Sequence, residues 1–490
     1  MNSPVIPNTV VAIYVFILAV LSAYIFQASV LIILYLWHRR DPLPPLPEIP
    51  DEELPIVTIQ VPLRNELGVA RRILKNIASL DWPRDRLDIQ ILDDSDDETA
   101  EIVNQETRRM IALGFSVCLI RRQSPAGFKA GALAEAMPRS RGNYMAIFDA
   151  DFCPPHDFLR RTVPHLIANK QLGIVQTRWG HLNAEYSAIT RIQALFLDAI
   201  IIDQIARCRS GLLLNFNGSA GVWRRAAIES AGGWQSDTVS EDMDLSYRAQ
   251  LAGWKILYLP DIVVPAEIPP LMTTFKQQQY RWAKGTAQCV RKLIGPILRT
   301  SRLRWSQKVM ALLHLTAYLP QTLFLFLILL SMPMAIYAPA LPPIAVTLGT
   351  LSAVLPTFYM LSQVAHYRDW PRRVLYYPGL LLLGMGLAWN TTLALIDGLL
   401  HWGGDFVRTP KFQIKGTYGE WRNNRYLKQT NQSFVGEICM ALYAGLTVWL
   451  AYNIHSKMFN SLSLAYIGGA AFVILEQMRL KWFTTKNEAS

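Results

Sequence analysis

Tyr144-Met145-Ala146-Ile147-Phe148-Asp149-Ala150-Asp151 is the stretch that decides the fold. Five apolar residues make a run of strand length, and the run stops on two carboxylates separated by one small residue. In extended backbone alternate side chains point the same way, so Asp149 and Asp151 project together. Residues 56–63 upstream read as another short apolar strand, residues 67–80 carry helical periodicity, and residues 87–92 form a strand ending at Asp93, Asp94 and Ser95. Residues 99–113 are again helical and residues 115–120 a strand. This alternation predicts a mainly parallel α/β sheet with helices on both faces and ligands at the carboxyl ends of the strands. Polar residues gather there: Asn65 and Glu66, then Asp93 and Asp94, then Asp149 and Asp151. Singly, each also suits a helix cap or a turn; jointly they predict a site.

With 51 % hydrophobic and 17 % charged residues among 490, the chain has more apolar material than one soluble core uses. Residues 10–37 are almost wholly apolar, longer than the roughly 20 residues that cross a bilayer, and His38, Arg39 and Arg40 follow at once, which puts that end inside. A cleaved signal peptide would carry basic residues before a shorter run, and nothing basic precedes Val10. Further apolar runs occupy residues 309–336, 342–365, 376–400, 434–454 and 461–478. The run 376–400 has Arg368, Arg372 and Arg373 before it and Arg408, Lys411, Lys415, Arg422, Arg425 and Lys428 after it. Both of its ends are therefore expected in the cytosol, making it an interfacial or re-entrant helix, with Asn390, Thr391, Thr392 and Asp397 breaking its apolar character. A sixth span with a basic exterior loop is the competing reading.

The expected organisation is a first transmembrane helix in 1–40, a catalytic domain in 50–300, an amphipathic lead-in with two spans in 301–366, an interfacial helix and basic loop in 370–432, and two spans with a cytosolic tail in 433–490. The N-terminus is then outside, the catalytic domain cytosolic, and the host a plasma (inner) membrane. The net charge of +11 is assigned to this cytosolic collar, which anionic headgroups attract. No nucleic-acid-binding module is recognisable, so no nucleic-acid partner is expected. The five cysteines have no spacing for zinc or redox work.

Paired carboxylates at a strand end make a hard-oxygen site suited to Mg²⁺ or Mn²⁺ held jointly with a diphosphate. Lys129, between Gly127 and Gly131, offers a point charge to the same diphosphate; alone it is also an ordinary lysine at a helix start. Ser240-Glu241-Asp242 opens a helical stretch, where acidic residues cap, but where a rigidly held carboxylate also takes a proton from a hydroxyl. Gln278-Gln279-Tyr280-Arg281-Trp282 presents an amide, a guanidinium and an indole, a set that suits a sugar face and a diphosphate.

Taken in order, Pro62 to Glu66, Asp93-Asp94, Lys129, Asp149-x-Asp151, Ser240-Glu241-Asp242 and Gln278-x-x-Arg281-Trp282 resemble the processive branch of glycosyltransferase family 2, which includes cellulose, hyaluronan and plant mannan synthases. The resemblance covers nearly the whole chain and implies a GT-A (Rossmann-like) cytosolic catalytic domain inserted in an α-helical transmembrane bundle. It further implies a nucleotide-sugar donor (UDP-glucose or GDP-mannose), a β-linked polysaccharide acceptor and inversion at the anomeric carbon. Pro62, Glu66, Asp93, Asp94, Lys129 and Asp149 are then expected at the donor, and Asp149 and Asp151 at the metal. Asp242 is expected as the base with Glu241 beside it, and Gln278, Arg281 and Trp282 at the acceptor and channel mouth. Phe406-Val407-Arg408-Thr409-Pro410-Lys411 looks like the gating loop of cellulose synthases, with Phe406, Thr409 and Lys411 matching and Arg408 and Phe412 departing. Gln176 to Asn183 and Phe216 to Gly221 resemble the mannan-synthase-like subgroup; Trp179 and His181 within them are candidates for lining the donor or acceptor site, but lone residues of these types are more often packed than functional. The competing functions are a single-transfer enzyme making a glycolipid and a transporter carrying a nucleotide-sensing domain.

Overall fold

The computed structural model describes residues 5–337, 342–344, 347, 353–404, 408–421, 424–427, 433–455 and 461–488. Seven strands, β1 (Val57–Leu63), β2 (Leu87–Asp93), β3 (Ser116–Ile120), β4 (Tyr144–Ile147), β5 (Leu172–His181), β6 (Gly221–Arg224) and β7 (Lys255–Ala266), form one sheet in the order β3-β2-β1-β4-β6-β5-β7. Alternation along the strands feeds two cores. Val57, Ile59 and Val61 of β1, with Ala146 of β4, pack under the helices Ala70–Ala78, Thr99–Ala112 and Phe158–Ala168, while Met145 and Ile147 face the opposite side with Leu133, Trp223 and Leu245. Both faces of the sheet are thus buried, as expected where helices cover a sheet on each side.

The sheet is mixed. β6 runs antiparallel to both β4 and β5, whereas β1 with β2, β1 with β4, β2 with β3 and β5 with β7 are parallel. β6 has only four residues, too few for periodicity to report direction, and it follows a turn in which Gly218 and Ala220 have φ of 85° and 57°. The parallel half places the ends of β1, β2 and β4 side by side, where a nucleotide-type crevice forms.

Among the described residues, four helices are long and apolar enough to cross a membrane: Asn8–His38, Leu319–Tyr337, Phe434–Asn453 and Ser461–Met478. The apolar run 309–336 is broken, because Trp305–Leu315 is a separate helix ahead of Leu319–Tyr337. Of the run 342–365, the helix Val354–His366 is described, while residues 345, 346 and 348–352 lie outside the described residues. Trp370–Gly386 and Ala388–Leu400 meet at a 48° bend.

Two helices tie the catalytic sheet to this bundle. In Ala188–Arg209, Ile201, Ile202 and Ile205 pack on Leu31 and Tyr35 of the first apolar helix, and Ile189, Ile192 and Leu195 on Leu380 and Leu383. Met272–Arg299 lies along Ala388–Leu400, where Asp397 accepts from Tyr280 at 3.0 Å and pairs with Lys284 at 2.8 Å. Of the polar residues that interrupt the run 376–400, Asp397 and Asn390 thus meet partners on the helix bearing Gln278, Arg281 and Trp282, whereas Thr391 and Thr392 bond to Gln321 and Thr322 on Leu319–Tyr337.

Candidate active site

A cavity of about 790 Å³ opens at the carboxyl ends of β1, β2 and β4 and is closed on its far side by Met272–Arg299. Pro62, Glu66, Asp94, Lys129, Asp149, Asp151, Glu241, Asp242, Gln278, Arg281, Trp282, Thr409 and Lys411 all line it, so residues spread over 350 positions of sequence converge on one volume. Asp93 does not line it. Neighbouring strand residues point to opposite sides, and Asp93 turns its buried carboxylate to Arg121 (2.8 and 3.0 Å), where it serves the fold. Phe406 lies outside the described residues.

At the β1–β2 end, both oxygens of Asp94 accept from one edge of the Arg122 guanidinium, Nε and Nη2, and the same side chain also donates to the carbonyls of Ala126 and Phe128. That fork fixes the carboxylate at the cavity edge and ties it to the loop leading to Lys129. Glu66 is buried, and desolvation drives its carboxyl up to about 8, with Arg408 and Lys411 opposing the rise and Asp151 and Asp149 adding to it. Arg408 lies 3.3 Å away from it.

At the end of β4, Lys129 Nζ donates to Asp149 Oδ1 at 2.5 Å and to the Gly218 carbonyl at 2.8 Å. Burial would lower the Lys129 pKa, but Asp149 and Glu241 outweigh it and the ammonium is held above its usual range. Asp151 is nearly fully buried; its Oδ2 accepts from Lys411 Nζ at 2.8 Å and from the Glu267 amide at 3.2 Å. Each carboxylate of the Asp149-x-Asp151 pair is therefore matched by one lysine.

Glu241 and Asp242 start the helix Glu241–Leu251, whose N-terminal dipole favours negative charge. Desolvation nonetheless raises Glu241 to about 7, with Asp242 adding to the rise and Lys129 opposing it. Asp242 is raised as well, by burial first and by Asp149, against Lys129, the Met243 amide and Arg281. Arg281 is itself pulled down by burial and held up by these carboxylates. Two glycines make room for this packing: a Cβ on Gly218 would sit 2.6 Å from Asp242 Oδ2, and one on Gly285 only 2.0 Å from Ser240 Oγ. Trp282 packs against Ala194, Leu197 and Ile268 at the opposite end from Asp94.

The segment after the bent helices reaches into the cavity. Glu267, at the end of β7, organises it: Oε2 accepts from the amides of Phe412 and Gln413 at 2.9 and 3.1 Å, and Oε1 from Arg72 at 2.8 Å. Phe412 packs with Leu271 and Ile414, and Arg408 donates to the carbonyls of Arg64 and Asn65. Thr409 is buried with its hydroxyl unpartnered among the described residues. Glu267 carried no signal in the sequence beyond its place after an apolar run; Arg408 stood out as a departure from a motif and as one of the basic residues after 376–400.

Residues 144–361, from the first strand quoted above to the helix ending at His366, match the family described as Glycosyl transferase family group 2. That match places a family 2 glycosyltransferase domain within residues 144–361. Glucomannan 4-beta-mannosyltransferase 2 of Arabidopsis thaliana is 38 % identical over 320 residues, 62 % of this chain and 60 % of that one. Glucomannan 4-beta-mannosyltransferase 1 of Oryza sativa subsp. japonica is 41 % identical over 278 residues, 56 % of this chain and 53 % of that one. The chain thus spans little more than half the length of these curated relatives. A mannosyltransferase from Pyrobaculum calidifontis, solved with GDP-Man and Mn²⁺, superposes with a TM-score of 0.53 at 21 % identity, covering 80 % of this chain and 98 % of that one. That likeness identifies the glycosyltransferase domain as GT-A in fold.

Among the described residues no group of three or more His, Cys, Asp or Glu side chains forms a metal cage. The donors present are the two carboxylates Asp149 and Asp151, hard oxygens facing a cavity large enough for a diphosphate to supply the rest of the shell. This set fits Mg²⁺ or Mn²⁺ shared with a substrate and does not fit a structural zinc.

Proposed function

We propose that the chain is an inverting hexosyltransferase that moves mannose from a nucleoside diphosphate sugar, GDP-mannose, onto a β-linked glycan at the cytosolic face of a membrane. The observation that carries this reading is the Asp242 carboxylate, held beside Lys129, Asp149 and Arg281 in the cavity that Trp282 closes at its other end. A sensor domain needs no such carboxylate. A transferase needs one to take the proton of the attacking hydroxyl. Burial raises its basicity, and Gly218 leaves it room at the wall. Lys129 and Arg281 bring positive charge to where the departing diphosphate develops negative charge. Asp149 and Asp151 would hold the Mg²⁺ or Mn²⁺, which supplies further stabilisation of the leaving diphosphate. Pro62, Glu66 and Asp94 border the space for the nucleoside, and Gln278 and Trp282 the space for the acceptor sugar. Mannose as the transferred sugar rests on the names of the relatives; UDP-glucose is the competing donor.

The membrane arrangement supports synthesis on the catalytic-domain side. Both ends of the bent pair Trp370–Gly386 and Ala388–Leu400 touch that domain: Arg373 lies 3.7 Å from Asp198, and the Gly403 amide donates to the Asp237 carbonyl at 2.8 Å. A single crossing between them would separate those contacts by a bilayer, so the pair is assigned as re-entrant or interfacial. Lys411 and Thr409 then act as a loop that opens and closes over the donor.

A donor screen scored by released nucleoside diphosphate, followed by linkage analysis, tests the proposal. Turnover of GDP-mannose into a ladder of β-linked product is expected. A single lipid-linked sugar as sole product would replace processive synthesis with glycolipid formation, and preference for UDP-glucose would reassign the donor.

A further inference from the structure

The stretch Gln176 to Asn183 contains a residue with no part in the chemistry above. His181 ends β5, two residues after Trp179 on the same side of the strand, and both line the cavity. Its Nε2 lies 3.1 Å from Asp198 Oδ1 on the helix Ala188–Arg209, and the two side chains are 5 % and 0 % exposed. Asp198 is the centre of a polar cluster reaching into the membrane-side helices. The Tyr367 hydroxyl donates to Oδ1 at 2.8 Å, Gln363 Nε2 donates to Oδ2 at 3.3 Å, and Arg373 stands 3.7 Å from Oδ2. Arg178 donates in turn to the Tyr367 hydroxyl at 2.6 Å, and the Arg373 guanidinium lies 3.6 Å above the Tyr367 ring.

A carboxylate so buried stays ionised only when it is fully partnered, and this one is. An ionised carboxylate accepts and cannot donate, so His181 presents N–H at Nε2. In the neutral ring Nδ1 is then a lone-pair acceptor. Leu197, adjacent to Asp198, lines the cavity and packs with Ile268 against Trp282, so His181 and Trp282 border the same turn of helix at the end away from Asp94.

The geometry points to His181 as an acceptor-positioning residue: with Nε2–H fixed by Asp198, Nδ1 accepts a hydrogen bond from a hydroxyl of the hexose that rests on Trp282. Gln363, Tyr367 and Arg373 hold the Asp198 carboxylate from the side of the apolar helices, so those helices also orient the group that seats the acceptor. The inference rests on reading the cavity as that of a sugar transferase.

The test uses the full-length protein in lipid nanodiscs, with a soluble β-linked hexose oligosaccharide as acceptor and the nucleotide sugar found in the donor screen. His181→Ala is expected to raise the acceptor KM about tenfold, the loss of one buried hydrogen bond, while donor Kd by calorimetry stays within about twofold. His181→Gln, whose amide retains an acceptor, should recover most of the loss. Asp198→Asn should resemble His181→Ala, because an amide no longer dictates the tautomer. An unchanged acceptor KM in His181→Ala overturns the inference, as does a parallel weakening of donor and acceptor in both His181 variants, which marks a structural strut. A wild-type protein that binds no nucleotide sugar overturns the functional reading, and the inference with it.

Discussion

Lys411 sets its ammonium 2.8 Å from the carboxylate of Asp151, joining the loop that follows the bent helix pair to the end of β4. Burial would depress the Lys411 pKa, but Asp151 and Glu66 outweigh it, so the charge is retained inside the cavity. The same Asp151 is the carboxylate proposed above for the divalent metal, so lysine and metal would compete for it.

Lys411→Met removes that competitor and leaves a buried carboxylate without a cation. Mn²⁺ measured by calorimetry without donor is expected to bind about tenfold more tightly, while sugar transfer falls about a hundredfold through loss of the charge that closes the loop. Weaker Mn²⁺ binding in the variant would mean that Lys411 supports the metal site and does not contest it.

Asp242→Asn keeps the shape and the Met243 contact but cannot take a proton. Transfer should drop by about 10² to 10⁴ with donor affinity nearly intact. Turnover close to that of the parent would show that the base has been misassigned.

The acid limb of the pH profile follows from the same pair. Glu241 is raised to about 7 and Asp242 is raised beside it, and Asp242 must be ionised to act as base. Because burial favours its protonated form, kcat/KM should fall with decreasing pH above the ordinary carboxylate range. Glu241→Gln removes one of two neighbouring charges, so the limb should move to lower pH; movement to higher pH would contradict the pairing.

The sheet was legible because short, largely apolar runs of strand length are dictated by burial on two faces, and 56–63, 87–92 and 144–148 are matched by strands within a residue or so. The direction of β6 was not, since four residues flanked by Gly218 and Ala220 contain no directional pattern. At the site, motif order located Asp94, Asp149, Asp151 and Asp242 at one cavity, but it could not tell Asp94 from Asp93, whose roles differ by which side of β2 each leaves. Glu267 and the Asp198 cluster were invisible because their partners lie up to 195 residues away in sequence. Burial and pairing create those roles, and neither is a local property.

Gly285 shows how tightly the acceptor helix is set against the base. A methyl group there would fall 2.0 Å from Ser240 Oγ and 2.7 Å from Ser240 Cβ, so Gly285→Ala must push Met272–Arg299 away from the Ser240-Glu241-Asp242 turn. Overpacking of this kind costs about 1–3 kcal/mol, read as a lowered Tm, and the displaced Arg281 and Trp282 should lower kcat as well. Adding Ser240→Gly removes both clashing atoms and should restore most of each loss. Failure to restore either would place the damage elsewhere on the helix.

The topology prediction separates two readings of residues 376–400 by a contact argument. Beyond the bend, the Gly416 amide donates to the Leu182 carbonyl at 2.7 Å and the Phe412 amide to Glu267 Oε2 at 2.9 Å, so the loop is docked on the catalytic domain at several points. Before the bend, Tyr367 and Arg373 reach Asp198 of the same domain. Crossing a bilayer once between those anchors would strand one set of contacts, whereas a re-entrant pair keeps both, and the basic residues on either side agree in sign with a cytosolic location. A single cysteine introduced at Tyr418, an exposed position in that loop, should resist a membrane-impermeant thiol reagent in sealed, right-side-out vesicles and react once they are opened, in a background with Cys439 removed. Labelling in the sealed vesicles would make the pair a true span and move the loop, with Lys411, away from the reaction.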